Sequence, residues 1–378
     1  MGTKKHIQPS LAMSANAILE STRGFVSFYD PLKALIETSP EFWPHIARYC
    51  DALEQYPLVM KALSRLNANS MMDFEKALFC AIFGVLVADR LDVPDHRKRA
   101  LFFAGLAQDV GVYMDDYRVT DYFSALRERL GSFKGPESVD GQKSHALVGY
   151  SLLEEAIPDD TLVAELVLHH HANEDGTGYP SNIGEAQLNT EMQVLIVANQ
   201  LSDLVFKHHG FDGLFNCRPQ LKLASTMFFK QVNGAAYDLL QSSAARLALD
   251  PKTPVNKFQL SQQVELLGSF SREAVSLSGE LIGVEHYRTV RLLRSRIKKL
   301  DLLMNESGLL QVLEDDCMHE IKQCMDALPD FLEPMLDLLK ETQTLLPTHH
   351  KPVIGELNIT LKTLLTTLNK PKPFSLFI

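Results

Sequence analysis

The chain has 378 residues, 46% of them hydrophobic and 22% charged, the profile of a globular protein with room for two or three domains. A net charge of −10 excludes broad nucleic-acid binding, which needs basic surface to displace counterions, but leaves open a small anion held by local cations. Apolar stretches 77–88 and 100–107 are too short to span a bilayer, and residues 1–10 show no signal peptide. Five scattered cysteines (Cys50, Cys80, Cys217, Cys317, Cys324) suit reduced thiols, so a cytoplasmic location is expected.

In chain order the pattern is helical throughout, and no alternating run demands a sheet. Residues 1–65 read as an N-terminal helical region that contains the single tryptophan, Trp43. In the middle region, 66–249, Phe74, Ala77, Leu78, Ala81, Ile82, Val85 and Leu86 fall at helical spacing and predict one apolar face. The stretch 100–107 is almost wholly apolar and predicts a helix buried on most sides. Pro158, Asp159 and Asp160 mark the start of a helix that turns Leu162, Val163, Leu166 and Val167 inward, and another begins near Glu191. Loops are expected at 131–141 and 181–189, and a linker at 250–254. In the C-terminal helical region, 255–378, Val290, Leu293, Ile297, Leu300 and Met304 form a seam against either a bundle or a partner chain, which allows a homodimer. The basic run Arg288, Arg291, Arg294, Arg296, Lys298 and Lys299 reads as a solvated face. Cys317, His319 and Cys324 lie close together, yet no second pair completes a zinc site.

Four places could carry chemistry. His169, His170 and His171 end one helix and run into Asp175, Gly176, Gly178, Tyr179 and Pro180. His170 falls on the inner face, where an imidazole needs a hydrogen-bond partner or a metal, and the glycines leave amides free to meet a phosphate. A helix end with surface histidines before a Gly-Tyr-Pro turn is the equal alternative. Gln108 and Asp109 close the apolar helix, and a carboxylate there needs compensating charge or donors. His145 opens a later helix, a position more often structural than ligating. Asn199 shares a face with Met192, Leu195 and Ile196, one turn before Asp203, and reads as a buried residue bonded to backbone.

The order and spacing of these places resemble the HD-GYP domain family, a branch of the HD-domain metal-dependent phosphohydrolases that includes cyclic di-GMP phosphodiesterases. The matching segments are Gln108-Asp109-Val110-Gly111-Val112, His145 with Gly149, His170 to Pro180, and Ala198-Asn199 with Asp203, over roughly residues 68–240. The resemblance implies an all-α HD-domain helical bundle with additional N- and C-terminal helical regions. It also implies two or three iron- or manganese-type ions bridged by an aspartate, and a metal-activated water that attacks a phosphodiester. Asp109, His145, His170 and His171 would be metal ligands, and the loop from Asp175 to Pro180 a wall of the site and a recognition surface.

The sequence departs from that pattern at several positions. Gln108 replaces the histidine of the HD pair, Asn199 a late aspartate, Val112 a lysine and Ala172 a glutamate. No histidine occurs between His45 and His96, and Lys76 stands near the position where the family has one. Amide oxygens are weaker ligands than imidazole or carboxylate, so the donor set could hold one Fe or Mn ion at most and not a pair. The expected function is a degenerate HD-GYP-like protein of bacterial cyclic di-GMP signalling, non-catalytic or weakly active, that binds cyclic di-GMP or signalling proteins. The alternatives are an active cyclic di-GMP phosphodiesterase with a reduced metal site, and an architectural helical scaffold without a ligand.

Overall fold

The computed structural model describes residues 13–114, 144–174, 176, 178–180, 183–206, 210–246, 255–284, 287–306, 318–346 and 350–368. Among them there are α-helices and short 3-10 turns and no strand. The predicted loop 131–141, the linker 250–254, Asp175 and Cys317 lie outside the described residues. The chain divides into two compact units, one comprising Met1–Cys217 with Gly234–Leu249 and the other Arg218–Asn233 with Asp250–Ile378.

The first unit opens with α1 (Ala15–Phe28), α2 (Asp30–Ile36), α3 (Phe42–Leu53) and α4 (Pro57–Asn69). Serine side chains cap two of its helices: Ser14 accepts from the Ala17 amide, and Ser70 accepts from the Asp73 amide to begin α5 (Met71–Arg90). Such a cap contributes about 1 kcal/mol by satisfying an amide that the helix leaves unpaired. The one apolar face expected for α5 is too modest a description. Phe79, Cys80 and Phe83 are buried as completely as Ala77, Ala81 and Val85, because α4, α6 (Asp95–Ala107) and α9 (Thr190–Leu204) all pack against it. Each fully buried Leu, Ile or Phe adds roughly 1.5–3 kcal/mol of apolar burial. The central position of α5 follows from that sum. The expectation for 100–107 holds, since every residue from Ala100 to Ala107 is buried.

Two further helices complete the frame around the candidate residues. These are α7 (His145–Ala156) and α8 (Thr161–His169), which pack on each other, and α8 also packs on α6. Helix α9 begins at Thr190, with Asn189 Oδ1 accepting from the Met192 amide at 2.9 Å, one residue before the expected start.

The second unit contains α10 (Arg218–Met227), the first residues of α11 (Lys230–Arg246), α12 (Lys257–Glu280), α13 (Arg288–Glu306), α14 (Met318–Leu345) and α15 (Lys351–Leu368). The seam of Val290, Leu293, Ile297, Leu300 and Met304 is fully covered by its own bundle, in a core that includes Phe270, Leu328 and Leu361. That settles the two readings of the seam in favour of the bundle. The basic run is only partly a solvated face. Arg288, Arg291 and Lys298 are exposed, but the Arg296 guanidinium lies 5.6 Å from the Phe331 ring centroid and the Lys299 ammonium 4.1 Å from that of Phe228. No helix among the described residues is long and apolar enough to cross a membrane.

Candidate metal centre

Three helix ends converge in the first unit. Helix α6 ends at Ala107 and delivers Gln108 and Asp109, and a 3-10 turn, Val110–Tyr113, follows at once. Gly111 lets that turn lie against the start of α7, since a Cβ there would fall 2.1 Å from the His145 carbonyl oxygen. The close approach brings the first residue of α7, His145, beside Asp109. From the other side α8 ends at His169 and the chain turns through His170 and His171.

The side chains of Asp109, His145, His170 and His171 place one ligand atom each within 4.8 Å of one another. His145 Nε2 lies 3.2 Å from His170 Nε2 and 3.2 Å from His171 Nε2. Asp109 Oδ1 lies 3.4 Å from His145 Nε2 and 3.8 Å from His170 Nε2. A tetrahedral ion with bonds of about 2.1 Å sets its ligand atoms about 3.4 Å apart, so these four fit a single cation. His170 Nδ1 sits 2.6 Å from the Val167 carbonyl oxygen, which can only accept. The Nδ1 proton is thereby fixed and, in the neutral ring, Nε2 presents its lone pair to the cluster. Neutral imidazoles at this spacing cannot all be hydrogen-bonded to one another. His145 Nε2 has at most one proton to give, whereas a cation would take all three lone pairs.

Protonation favours the same arrangement. Burial pulls the His170 imidazole down to about 4 despite the nearby Asp109 carboxylate, and burial also pulls His169 down to about 4. His171 is lowered by burial and then by the neighbouring His170 and His145 rings. The His169, His170 and His171 rings are neutral at pH 7, the state in which imidazole binds a metal. Burial alone would push the Asp109 carboxyl up, but His170, Lys76, His145 and the Gln108 amide together hold it below its ordinary value. With His170 neutral, Lys76 brings a full positive charge to act on Asp109.

The other oxygen of Asp109 faces different company. Gln108 Nε2 donates toward Asp109 Oδ2 at 3.2 Å, Asn199 Oδ1 at 3.3 Å and Cys80 Sγ at 3.4 Å. Gln108 is fully buried, and its Oε1 has no hydrogen-bond partner. Asn199 is buried as expected, but its side-chain oxygen accepts from Gln108 rather than bonding to backbone. Lys76, one turn before Cys80 on α5, pairs with Asp203 Oδ1 at 2.9 Å, one turn after Asn199 on α9.

The loop after the histidines packs against them. Gly176 has φ 72°, a left-handed conformation that glycine adopts without strain. A Cβ on Gly178 would come within 2.3 Å of the His171 carbonyl oxygen and 2.5 Å of the Ala172 Cα. Tyr179 stacks on His171, with ring centroids 4.5 Å apart and planes at 22°, and the Tyr179-Pro180 bond is cis. Ala172 is fully buried and brings no carboxylate. Val112 is 47% exposed and brings no charge. With His169 and His170 buried and His171 half-buried, the alternative of a helix end with surface histidines falls away. Sequence reasoning did not find the contact of Cys80 with Gln108 or the stacking of Tyr179 on His171. The i, i+4 spacing of Lys76 and Cys80 was the available signal for the first, and nothing in the spacing signalled the second.

Residues 59–212 match the model of the HD domain family. Over 134 residues, 35% of its length, the chain is 26% identical to the cyclic di-GMP phosphodiesterase PA4108 of Pseudomonas aeruginosa. The match spans 30% of that relative, so the chain corresponds to under a third of it. No solved structure matches. The four-ligand cluster falls inside the residues that match this model.

Proposed function

We propose that this protein is a degenerate, HD-GYP-like member of bacterial cyclic di-GMP signalling that holds one Fe or Mn ion and binds the dinucleotide or a protein partner with little or no turnover. The observation that carries this reading is the division of Asp109. Its Oδ1 joins a three-histidine cluster sized for one ion, and its Oδ2 faces the Gln108 amide, with no second set of metal donors among the described residues. The similarity to a cyclic di-GMP phosphodiesterase supports the choice of ligand. Residues Asp109, His145, His170 and His171 would hold the ion, which when bound polarises a phosphate oxygen and lowers the pKa of a bound water. Gly176, Gly178, Tyr179 and Pro180, with Asp175, would form the recognition wall beside it. The helical regions 1–65 and 255–378 would flank this domain, and their surfaces are where partner proteins, or a second copy of the chain, would be met.

A second reading is favoured by the cluster itself. Four ligands around one ion suffice for metal-assisted hydrolysis when one coordination position opens to water. Purified protein given cyclic di-GMP with Mn²⁺ or Fe²⁺ separates the two readings. Binding without product over hours supports the first. Turnover abolished by His170→Ala and by Asp109→Ala replaces it with an active phosphodiesterase with a reduced site. Thermal stability unmoved by any metal or nucleotide would leave only a scaffold.

A further inference from the structure

The cluster has a cation built into it. Lys76 projects from α5 with its side chain only 18% exposed, and its ammonium is tied at 2.9 Å to Asp203 on α9. It interacts electrostatically with Asp109, His170 and His171, three of the four ligand residues. Burial works against its charge, but Asp109 and Asp203 outweigh that cost and hold the ammonium protonated above its ordinary range. Gln108, which also reaches Cys80 one turn after Lys76, turns the donor end of its amide toward Asp109 Oδ2 and Asn199 Oδ1, although its own oxygen is left without a partner. An unpartnered amide oxygen is costly in a buried setting. The Oδ2 face of Asp109 is thus supplied with positive partial charge by the Gln108 amide, and the full charge of Lys76 acts on the same carboxylate.

We propose that the Lys76 ammonium, anchored by Asp203, supplies the charge that a second metal ion would bring to Asp109, so that the centre accepts one divalent cation and repels another. This deepens the single-ion reading above and rests on it. A dication and an ammonium in a site of low dielectric repel strongly at distances of several ångströms, and only the solvent-facing part of that repulsion is screened. Lys76 also limits the affinity for the ion that does bind, because Asp109 shares its charge between the two cations.

The test is a titration of chelator-stripped protein with Mn²⁺, reading stoichiometry and affinity for the native chain, Lys76→Met and Lys76→Arg. Lys76→Met keeps the length and apolar stem without the charge, and Lys76→Arg keeps the charge. The expected result is one equivalent in the native chain and in Lys76→Arg. Lys76→Met should bind that ion about tenfold more tightly or take up a second equivalent. A gain in affinity is not produced by damage to the fold, and circular dichroism and thermal unfolding of each variant check the fold separately. Affinity of Lys76→Met within about twofold of native, at unchanged stoichiometry, would overturn the proposal, as would two ions in the native chain. If the native chain binds none, the single-ion reading fails. In that case binding by Lys76→Met still supports the ammonium as the barrier, and no binding by either refutes it.

Discussion

His170 donates its Nδ1 proton to the Val167 carbonyl at 2.6 Å, and this one bond decides which ring nitrogen faces Asp109 and His145. The carbonyl lies one turn back on α8, so the helix that delivers the ligand also orients it. Replacing His170 with Gln removes both the oriented lone pair and one of four donors. Even loss of an outer partner of a ligand costs about 10–100-fold in metal affinity, and loss of the ligand itself should cost at least that much. The measurement is elemental analysis of protein purified without a histidine tag, with Asp109→Asn as a parallel case. Native-like metal content in either variant would remove these residues from the ligand set.

Rebuilding the Oδ2 side of Asp109 tests the same geometry in the other direction. Gln108→His with Asn199→Asp restores an imidazole and a carboxylate where amides now meet at 3.3 Å. With Lys76 in place, the double variant should still bind one Mn²⁺. Adding Lys76→His should raise the stoichiometry to two, read by equilibrium dialysis. A second ion in the double variant alone would mean that the amides, and not the ammonium, exclude it.

Much of this site was legible before any coordinates, and the reason lies in local sequence. His169 to His171 end a helix whose inner face is set by Leu166 and Val167, and Gly176, Gly178, Tyr179 and Pro180 specify the turn that follows. These relations span only a few residues, which is the range over which spacing carries information. The surroundings of Asp109 were less legible. From Ala77 to Ala88 helix α5 is buried on every side, beyond the one face its spacing predicts, and nothing in that pattern said that Lys76 points toward Asp203. Asn199 was readable as buried, but its partner, Gln108, is 91 positions away in sequence. The C-terminal seam was readable as a seam because Val290 to Met304 keep steps of three and four, yet only packing shows that its own bundle covers it.

The buried histidines predict how stability responds to acid. His169 and His170 have folded values near 4, below the 6.5 of an exposed imidazole, so the unfolded chain takes up protons first as pH falls. Their contribution is fully present above about pH 6.5 and is lost progressively toward pH 4, at up to roughly 1.4 kcal/mol per pH unit for each group. Metal-free protein should therefore show a falling unfolding midpoint from pH 7 to pH 5. His169→Gln should flatten part of that slope, and a slope unchanged by the substitution would mean that His169 is not buried in its neutral form.

Gly178 gives the sharpest prediction about the loop. An added Cβ would lie 2.3 Å from the His171 carbonyl oxygen and 2.5 Å from Asn173 N, both backbone atoms that cannot swing aside as a side-chain tip can. Gly178→Ala must therefore shift the turn, at a cost of about 1–3 kcal/mol, and pull Tyr179 off the His171 ring. Because His171 is a ligand residue, the variant should also bind Mn²⁺ more weakly than the native chain. Gly24 provides the contrast. It lies on the exposed side of α1 with nothing within 4 Å of a new Cβ, and Gly24→Ala should be neutral or stabilise by up to about 1 kcal/mol through helix propensity. Denaturant unfolding of the two variants side by side reads the difference. Equal stability would show that the loop does not press on His171 as the structure places it.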